Sequence, residues 1–276
     1  MQPKVILITG ASSGIGYDTA AALSRQGHKV YAAARRTELM EPLRPLGVVP
    51  LAMDVTDDQS MQQAVETVLH NEQRLDVLIN NAGYGYFGAI EQVSMSEARR
   101  QVEVNLFGLA RLCQLVIPIM RRQGSGHIIN TSSIAGKLTL PYGGWYHVSK
   151  YSVEALSDAM RLELKPFGIN VTLIEPGGIR TNWGILAAQH LKESTAGSVY
   201  ESSALSEAAL LHEAYSGKWL SPPSIITRAM LHAIGSRRPR ARYRTGRFAH
   251  TATALHAILP ARWWDALMRT LCKVKV

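Results

Sequence analysis

Val5-Ile6-Leu7-Ile8-Thr9-Gly10-Ala11-Ser12-Ser13-Gly14-Ile15-Gly16 is the stretch that decides the fold. Its first four residues are an unbroken apolar run, the pattern of a strand buried on both faces. Apolar residues then recur at helical spacing from Ile15 through Leu23 and stop near Gly27. Between the two lies a glycine-rich turn. The first turn of a helix leaves backbone N–H groups without partners, and such groups attract anions. Glycines there let the chain turn sharply and approach a pyrophosphate closely. The spacing is Gly-x-x-x-Gly-x-Gly, not the Gly-x-Gly-x-x-Gly of the usual dinucleotide fingerprint.

Working outward, further strands are expected over 30–34, 48–53, 77–80, 127–130, 169–174 and 241–245. Helices are expected over about 60–69, 96–122, 145–166 and 225–234, the second of them bent by Gly108 and Pro118. Strands alternating with helices indicate an α/β fold: a doubly wound parallel sheet of Rossmann type with helices on both faces. The 276 residues suit one such domain better than two. Residues 181–223 break the pattern, with helical patches at 187–192 and 205–215 and no strand, and are read as a lid that orders over the substrate. Residues 246–276 are read as a basic helical extension. In it Trp263, Trp264, Leu267, Met268 and Leu271 fall at helical spacing, so both tryptophans are expected to pack on the body or on a partner subunit.

Hydrophobic residues make up 46% and charged residues 18%, a globular composition rather than a disordered one. No apolar run reaches membrane-spanning length, because Gln114 and Pro118 interrupt the best one, and no signal-peptide pattern opens the chain. The two cysteines, Cys113 and Cys272, form no metal-ligand cluster, so no metal is expected, and a reducing cytoplasm fits. The net charge is +9, and the excess is local. From Arg228 onward nine Arg and two Lys face one acid, Asp265, which leaves 19 basic and 20 acidic residues before it. No nucleic-acid module accompanies that charge, so neither nucleic acid nor integral membrane association is expected.

The second strand ends Ala33-Ala34-Arg35-Arg36. An acid at this point would bond the ribose hydroxyls of NAD, whereas a guanidinium forks onto a 2′-phosphate. Arg35 and Arg36 therefore point to NADP(H). Further on, Tyr146 and Lys150 stand four apart and share one face of an expected helix. A phenol of pKa about 10 is a poor acid–base group at neutral pH, and a nearby ammonium lowers that value. Ser133 lies thirteen residues before Tyr146, just past the fifth strand, where its hydroxyl could hold a substrate oxygen. His147 is expected to point off this face.

The chain resembles the short-chain dehydrogenase/reductase family over nearly its whole length. The matching motifs occur in family order: the Thr9–Gly16 turn, Asp54-Val55-Thr56-Asp57, Asn80-Asn81-Ala82-Gly83, Asn105, Ser132-Ser133, Tyr146 with Lys150, and Pro176-Gly177 followed by Thr181. The resemblance implies an oxidoreductase acting on alcohols or ketones, assembled as a homodimer or homotetramer. It implies that Gly10, Ser12, Ser13, Gly14, Ile15 and Gly16 cradle the cofactor. Asp54 and Val55 would lie beside adenine, and Asn81, Ala82 and Gly83 beneath its ribose. Pro176 and Gly177 would join the cofactor set, with Ile179 and Thr181 at the nicotinamide. Ser133 would polarise the substrate oxygen, and Tyr146 would transfer the proton. Lys150 would lower the tyrosine pKa and hold the ribose, and Asn105, in a bend of the long helix, would keep a relay water.

Leu173-Ile174-Glu175-Pro176-Gly177 and the C-terminal extension look like the branch of 17β-hydroxysteroid and retinol dehydrogenases. Candidate pocket residues are Ala135, Lys137, Leu138, Tyr142, Gly143, Trp183 and Leu186, a mainly apolar set that suits a hydrophobic ketone or secondary alcohol. Lys137 could instead pair with an acidic substrate group. The other reading is a sensor or scaffold that binds NADP(H) and uses its basic tail to contact nucleic acid or membrane.

Overall fold

A computed structural model describes residues 2–272. Seven strands form one sheet: β1 (Val5–Thr9), β2 (Lys29–Ala34), β3 (Val49–Ala52), β4 (Val77–Asn80), β5 (Gly126–Thr131), β6 (Ile169–Pro176) and β7 (Arg242–Thr245). Their order is β3-β2-β1-β4-β5-β6-β7, and every neighbouring pair is parallel. Successive side chains of a strand point to opposite faces. Leu7, Tyr31, Leu78 and Ile128 accordingly face α2 (Asp58–Glu72), α4 (Gly108–Gln123) and α5 (Gly144–Leu164). Ile6, Ile8, Val30 and Ile79 face the other way, against α1 (Gly14–Arg25) and α8 (Ser224–Gly235). Both faces being covered is why these strands read as continuous apolar runs. The order reverses on either side of β1, and the crevice at that switch point, beyond the carboxyl ends of the strands, is where ligands bind in sheets of this kind.

The expected long helix is present as α3 (Met95–Val102), a π turn (Glu103–Phe107) and α4. The irregularity falls at the π turn, ahead of the two residues expected to bend the helix. There Asn105 leaves the helix to bond the backbone of Tyr84 through both its amide groups. Gly108 serves packing rather than bending. A Cβ on it would lie 2.2 Å from the Val55 carbonyl oxygen, so it admits a close approach of α4 to that loop. Pro118 stays inside α4. By length and composition the 29 residues Met95–Gln123 could cross a membrane, contrary to the sequence expectation. Here their apolar residues, Leu109, Leu112, Val116 and Met120, are packed into the core, and Gln101 and Asn105 are buried with them.

The segment expected as a lid folds as two helices, α6 (Trp183–Thr195) and α7 (Glu201–Ser216). Past β7 come α9 (Ala249–Ile258), which the sequence pattern did not reveal, and α10 (Ala261–Leu271). The two tryptophans of α10 part company. Trp264 is buried against Leu138 and Met268 and donates its indole N–H to the Thr139 carbonyl at 3.2 Å, whereas Trp263 is 70% exposed on the described chain. Part of the basic excess is also accounted for. Arg244 bonds the buried Glu175 at 2.7 Å, and Arg242 reaches Glu154, Asp158 and Glu175, so these charges are paired rather than displayed. Lys273 and Lys275, the end of the expected basic extension, lie outside the described residues.

Candidate active site

The turn between β1 and α1 is shaped from below. A Cβ on Gly10 would meet the Ala82 backbone at 2.7 Å, and one on Gly16 would meet the Gly10 carbonyl oxygen at 2.5 Å. Thr9 Oγ accepts the N–H groups of Asn81 and Ala82 at 3.0 and 2.9 Å, which locks the 81–83 loop beneath the turn. No side chain caps α1, and no acid stands in its first turn. Partnerless amides beside a Cβ-free surface fit the pyrophosphate of a dinucleotide. Gly16 itself does not line the cavity above; it lets the turn pack closely, a supporting part rather than the contact expected of it.

At the end of β2, Ala34 is buried, while Arg35 and Arg36 are exposed and form no ion pair among the described residues. Asp54 turns one carboxylate oxygen onto its own loop, accepting from the N–H and hydroxyl of Thr56 at 2.9 and 2.8 Å. These residues, with Val55, lie along the same rim as the expected adenosine-binding set.

Tyr146 and Lys150 project from the first turns of α5. Lys150 Nζ lies 5.9 Å from the Tyr146 ring centre and donates to the Thr131 carbonyl at 2.8 Å. Burial lowers its pKa to about 8, against the opposing pull of Glu154. Burial also pushes the Tyr146 phenol up to about 12, and the Ser133 hydroxyl works the other way. Ser133 caps the short turn Ile134–Gly136: its Oγ accepts from Ala135 N–H at 3.1 Å and donates to the Pro176 carbonyl at 3.4 Å. Asn105 stands behind this group, not in it. It is buried, lies outside the cavity lining, and donates to Ser149 Oγ at 3.0 Å as well as to Tyr84. His147 has a structural role that its sequence position did not suggest. One ring nitrogen contacts the Ala135 carbonyl at 3.0 Å and the other accepts from Leu140 N–H at 3.0 Å, so it clamps the loop that carries Ser133.

One cavity of about 1150 Å³ joins all of this, running from Arg35 past the glycine turn and Tyr146 to the lid. Gly14, Ser12, Ser13, Ile15, Asn81, Ala82, Gly83, Pro176, Gly177, Ile179 and Thr181 line it with Ser133, Tyr146 and Lys150. Of the candidate pocket residues, Ala135, Leu138, Trp183 and Leu186 line it, and Lys137, Tyr142 and Gly143 do not. Lys137 pairs with the buried Glu154 at 2.8 Å and is not free for a substrate acid. Tyr142 bonds Ser203 of the lid at 2.5 Å. Tyr215 and Trp219, from the segment expected as a lid, share the lining, as do Phe87, Arg247 and Phe248, which were not expected there from the sequence. Phe87 follows the Asn80–Gly83 motif through two glycine-flanked aromatics, which is a readable signal. The others come from the irregular C-terminal third, which carries none.

The short chain dehydrogenase family matches residues 4–191. A probable short-chain type dehydrogenase/reductase, VdlC, of Helicobacter pylori is 37% identical over 265 residues, covering 95% of this chain and 96% of its own. A 3-ketodihydrosphingosine reductase of Bacteroides thetaiotaomicron is 47% identical over 184 residues, 66% of each chain. A short-chain dehydrogenase from Streptomyces avermitilis superposes with a TM-score of 0.81 at 31% identity over 100% of both chains. A short-chain dehydrogenase/reductase from Burkholderia phymatum, solved with NAD, gives 0.79 at 25% identity over 96% and 95%.

Proposed function

The chain belongs to the short-chain dehydrogenase family, and within it we propose an NADP(H)-dependent enzyme that interconverts an apolar ketone and its secondary alcohol at Ser133, Tyr146 and Lys150. The observation that carries the reading is continuity: Ser133, Tyr146 and Lys150 line the same cavity as the glycine turn. A bound nicotinamide supplies or takes the hydride. The protein's own part is the oxygen. Ser133 donates a hydrogen bond to it, and the neutral Tyr146 phenol gives its proton to the oxygen in reduction, whereas its phenolate takes the alcohol proton in oxidation. Lys150, held by Thr131, keeps positive charge beside the phenol and so eases formation of phenolate. His147 and Asn105 hold the surrounding loops in register. Phe87, Trp183 and Tyr215 around the phenol exclude water and favour an apolar substrate. Arg35 and Arg36 support NADP(H) over NAD(H). Exposed Phe107, Val148 and Tyr151 on the outer helices suit contact with a second copy of the chain.

Tyr146→Phe tests the assignment. NADPH consumption with a panel of ketones is expected to drop about 10²- to 10⁴-fold, while NADPH binding, read by fluorescence, persists. A drop below about tenfold would remove Tyr146 from the chemistry.

A further inference from the structure

We propose that the substrate carries an anionic group, which Arg247 holds at the lid end of the cavity from between Trp219 and Phe248. This rests on the oxidoreductase reading above and adds the substrate's second handle.

The Arg247 guanidinium lies 4.3 Å over the Trp219 ring centre and 5.5 Å from that of Phe248, and the two rings are 5.2 Å apart. All three line the cavity. Both rings remain substantially exposed, Trp219 at 58% and Phe248 at 46%, so the trio is at the mouth and not in the core. Elsewhere the C-terminal arginines of the sheet are matched to buried acids, as Arg242 and Arg244 are. Arg247 forms no ion pair among the described residues, so its planar fork of donors is available to a carboxylate or phosphate oxygen.

The backbone holds the trio in place. The Arg247 carbonyl accepts from Gly178 N–H at 2.8 Å, and on the other side of the same loop Arg180 N–H donates to the Ser221 carbonyl at 2.8 Å. Trp219 and Arg247 therefore flank the 178–180 loop that follows β6. Phe248 adopts a left-handed conformation, φ 61°, unusual for a bulky side chain. Such strain persists where surrounding contacts over-determine the backbone, and it clusters at ligand clamps.

The other cations of the lining are committed. Arg35, Arg36 and Arg100 stand at the adenosine end, and Lys150 belongs to the reacting group. Two lid carboxylates line the cavity as well, and neither pairs with Arg247. Gln189 engages Glu193 at 2.8 Å. Burial raises the Glu207 carboxyl, which favours its neutral form. Among the described residues, the cavity thus offers an apolar middle walled by Phe87, Trp183 and Tyr215 and a positive end beyond it.

The experiment compares oxo-carboxylic acids of graded chain length with their methyl esters, using the full chain and NADPH. Wild type is expected to favour acid over ester by about tenfold or more in kcat/KM, with an optimum length. Arg247→Gln is expected to cut that acid-to-ester ratio by about 10-fold, the lower end of what one charged hydrogen bond gives at an exposed site, through KM for the acid. Arg247→Lys, which keeps the charge but loses the fork and the stacking, should retain part of the preference. Thermal melting of both variants at the wild-type temperature shows that the fold is intact. Equal use of acids and esters by wild type overturns the anion site alone, since ketone reduction would then stand. A loss of NADPH affinity in Arg247→Gln matching the loss in turnover also overturns it, by assigning Arg247 to the cofactor. Absence of NADPH-dependent turnover with every acid and ester sinks the parent reading, and this one with it.

Discussion

In the proposed function, Ala34 and Arg35 are the residues that select the cofactor. An acid at the position of Ala34 would repel a 2′-phosphate, and Ala34 leaves that place neutral and buried. Arg35 is exposed and without an acid partner among the described residues, so water screens whatever it binds. A charged hydrogen bond of roughly 1.5–3 kcal/mol is then worth about tenfold in preference, not a hundredfold. Arg35→Ala is expected to raise the KM for NADPH by about that factor with kcat nearly unchanged. Ala34→Asp is expected to turn the preference toward NADH. If wild type uses both cofactors equally and Arg35→Ala alters neither KM, the arginine is a solvated surface residue. Lys150 sets a pH dependence. Its pKa is lowered to about 8, whereas Tyr146 is raised to about 12, so across the neutral range the ammonium is the group that titrates. As pH rises through about 8 the charge is lost and the phenol becomes a weaker acid, so ketone reduction should decline. Arg stays charged throughout; Lys150→Arg should abolish the decline in the pH–rate profile, and an unmoved decline would point to another group.

At the scale of elements, the lid is seated by glycines. A Cβ on Gly85 would lie 2.4 Å from the Trp183 ring, and one on Gly184 would lie 2.2 Å from the Tyr215 ring. The first lets α6 lie against the loop after β4, and the second lets α6 and α7 close on each other. Gly184→Ala forces Tyr215 aside, an overpacking that costs about 1–3 kcal/mol. The expected outcome is a raised substrate KM and faster hydrogen exchange in α6 and α7, with β-strand amides protected as before. Uniform loss of protection across the sheet would show instead that the lid and core unfold together. These contacts were invisible in the sequence, because small residues in an irregular segment have no period to read. The C-terminal helices show the same limit. Helical spacing in α10 identified an amphipathic helix, and Trp264 is indeed buried. Which of two adjacent tryptophans would be buried depended on where Thr139 and Leu138 stood, and that is set by a loop more than a hundred residues away in the chain.

At the scale of the whole molecule, burial of neutral imidazoles sets acid stability. His127 is 5% exposed within β5, contacts Thr172 Oγ at 2.9 Å, and burial lowers its pKa from 6.5 to about 3. His28 and His147 are lowered by burial too. The unfolded chain then binds more protons than the folded one below pH 6.5, so stability falls as pH drops from 6.5 toward about 3. For His127 the loss is on the order of 4 kcal/mol. His127→Gln, polar but not titrating, should flatten the fall of the melting temperature between pH 6 and pH 4; an unchanged slope would clear His127 of the effect. The sheet, its helices, the glycine turn and the Ser133–Tyr146–Lys150 set were determined by the sequence itself. Their signals are local: period two against period 3.6, apolar runs where both faces are covered, and fixed spacing along one helix face. Only the tertiary structure decided that Gly16 and Asn105 support the site from behind, that Lys137 is consumed by Glu154, and that Arg247 is left unpaired at the cavity mouth among the described residues. Each of those depends on which distant side chain arrives within a few ångströms, and pairing across such separations leaves no periodic trace in the chain.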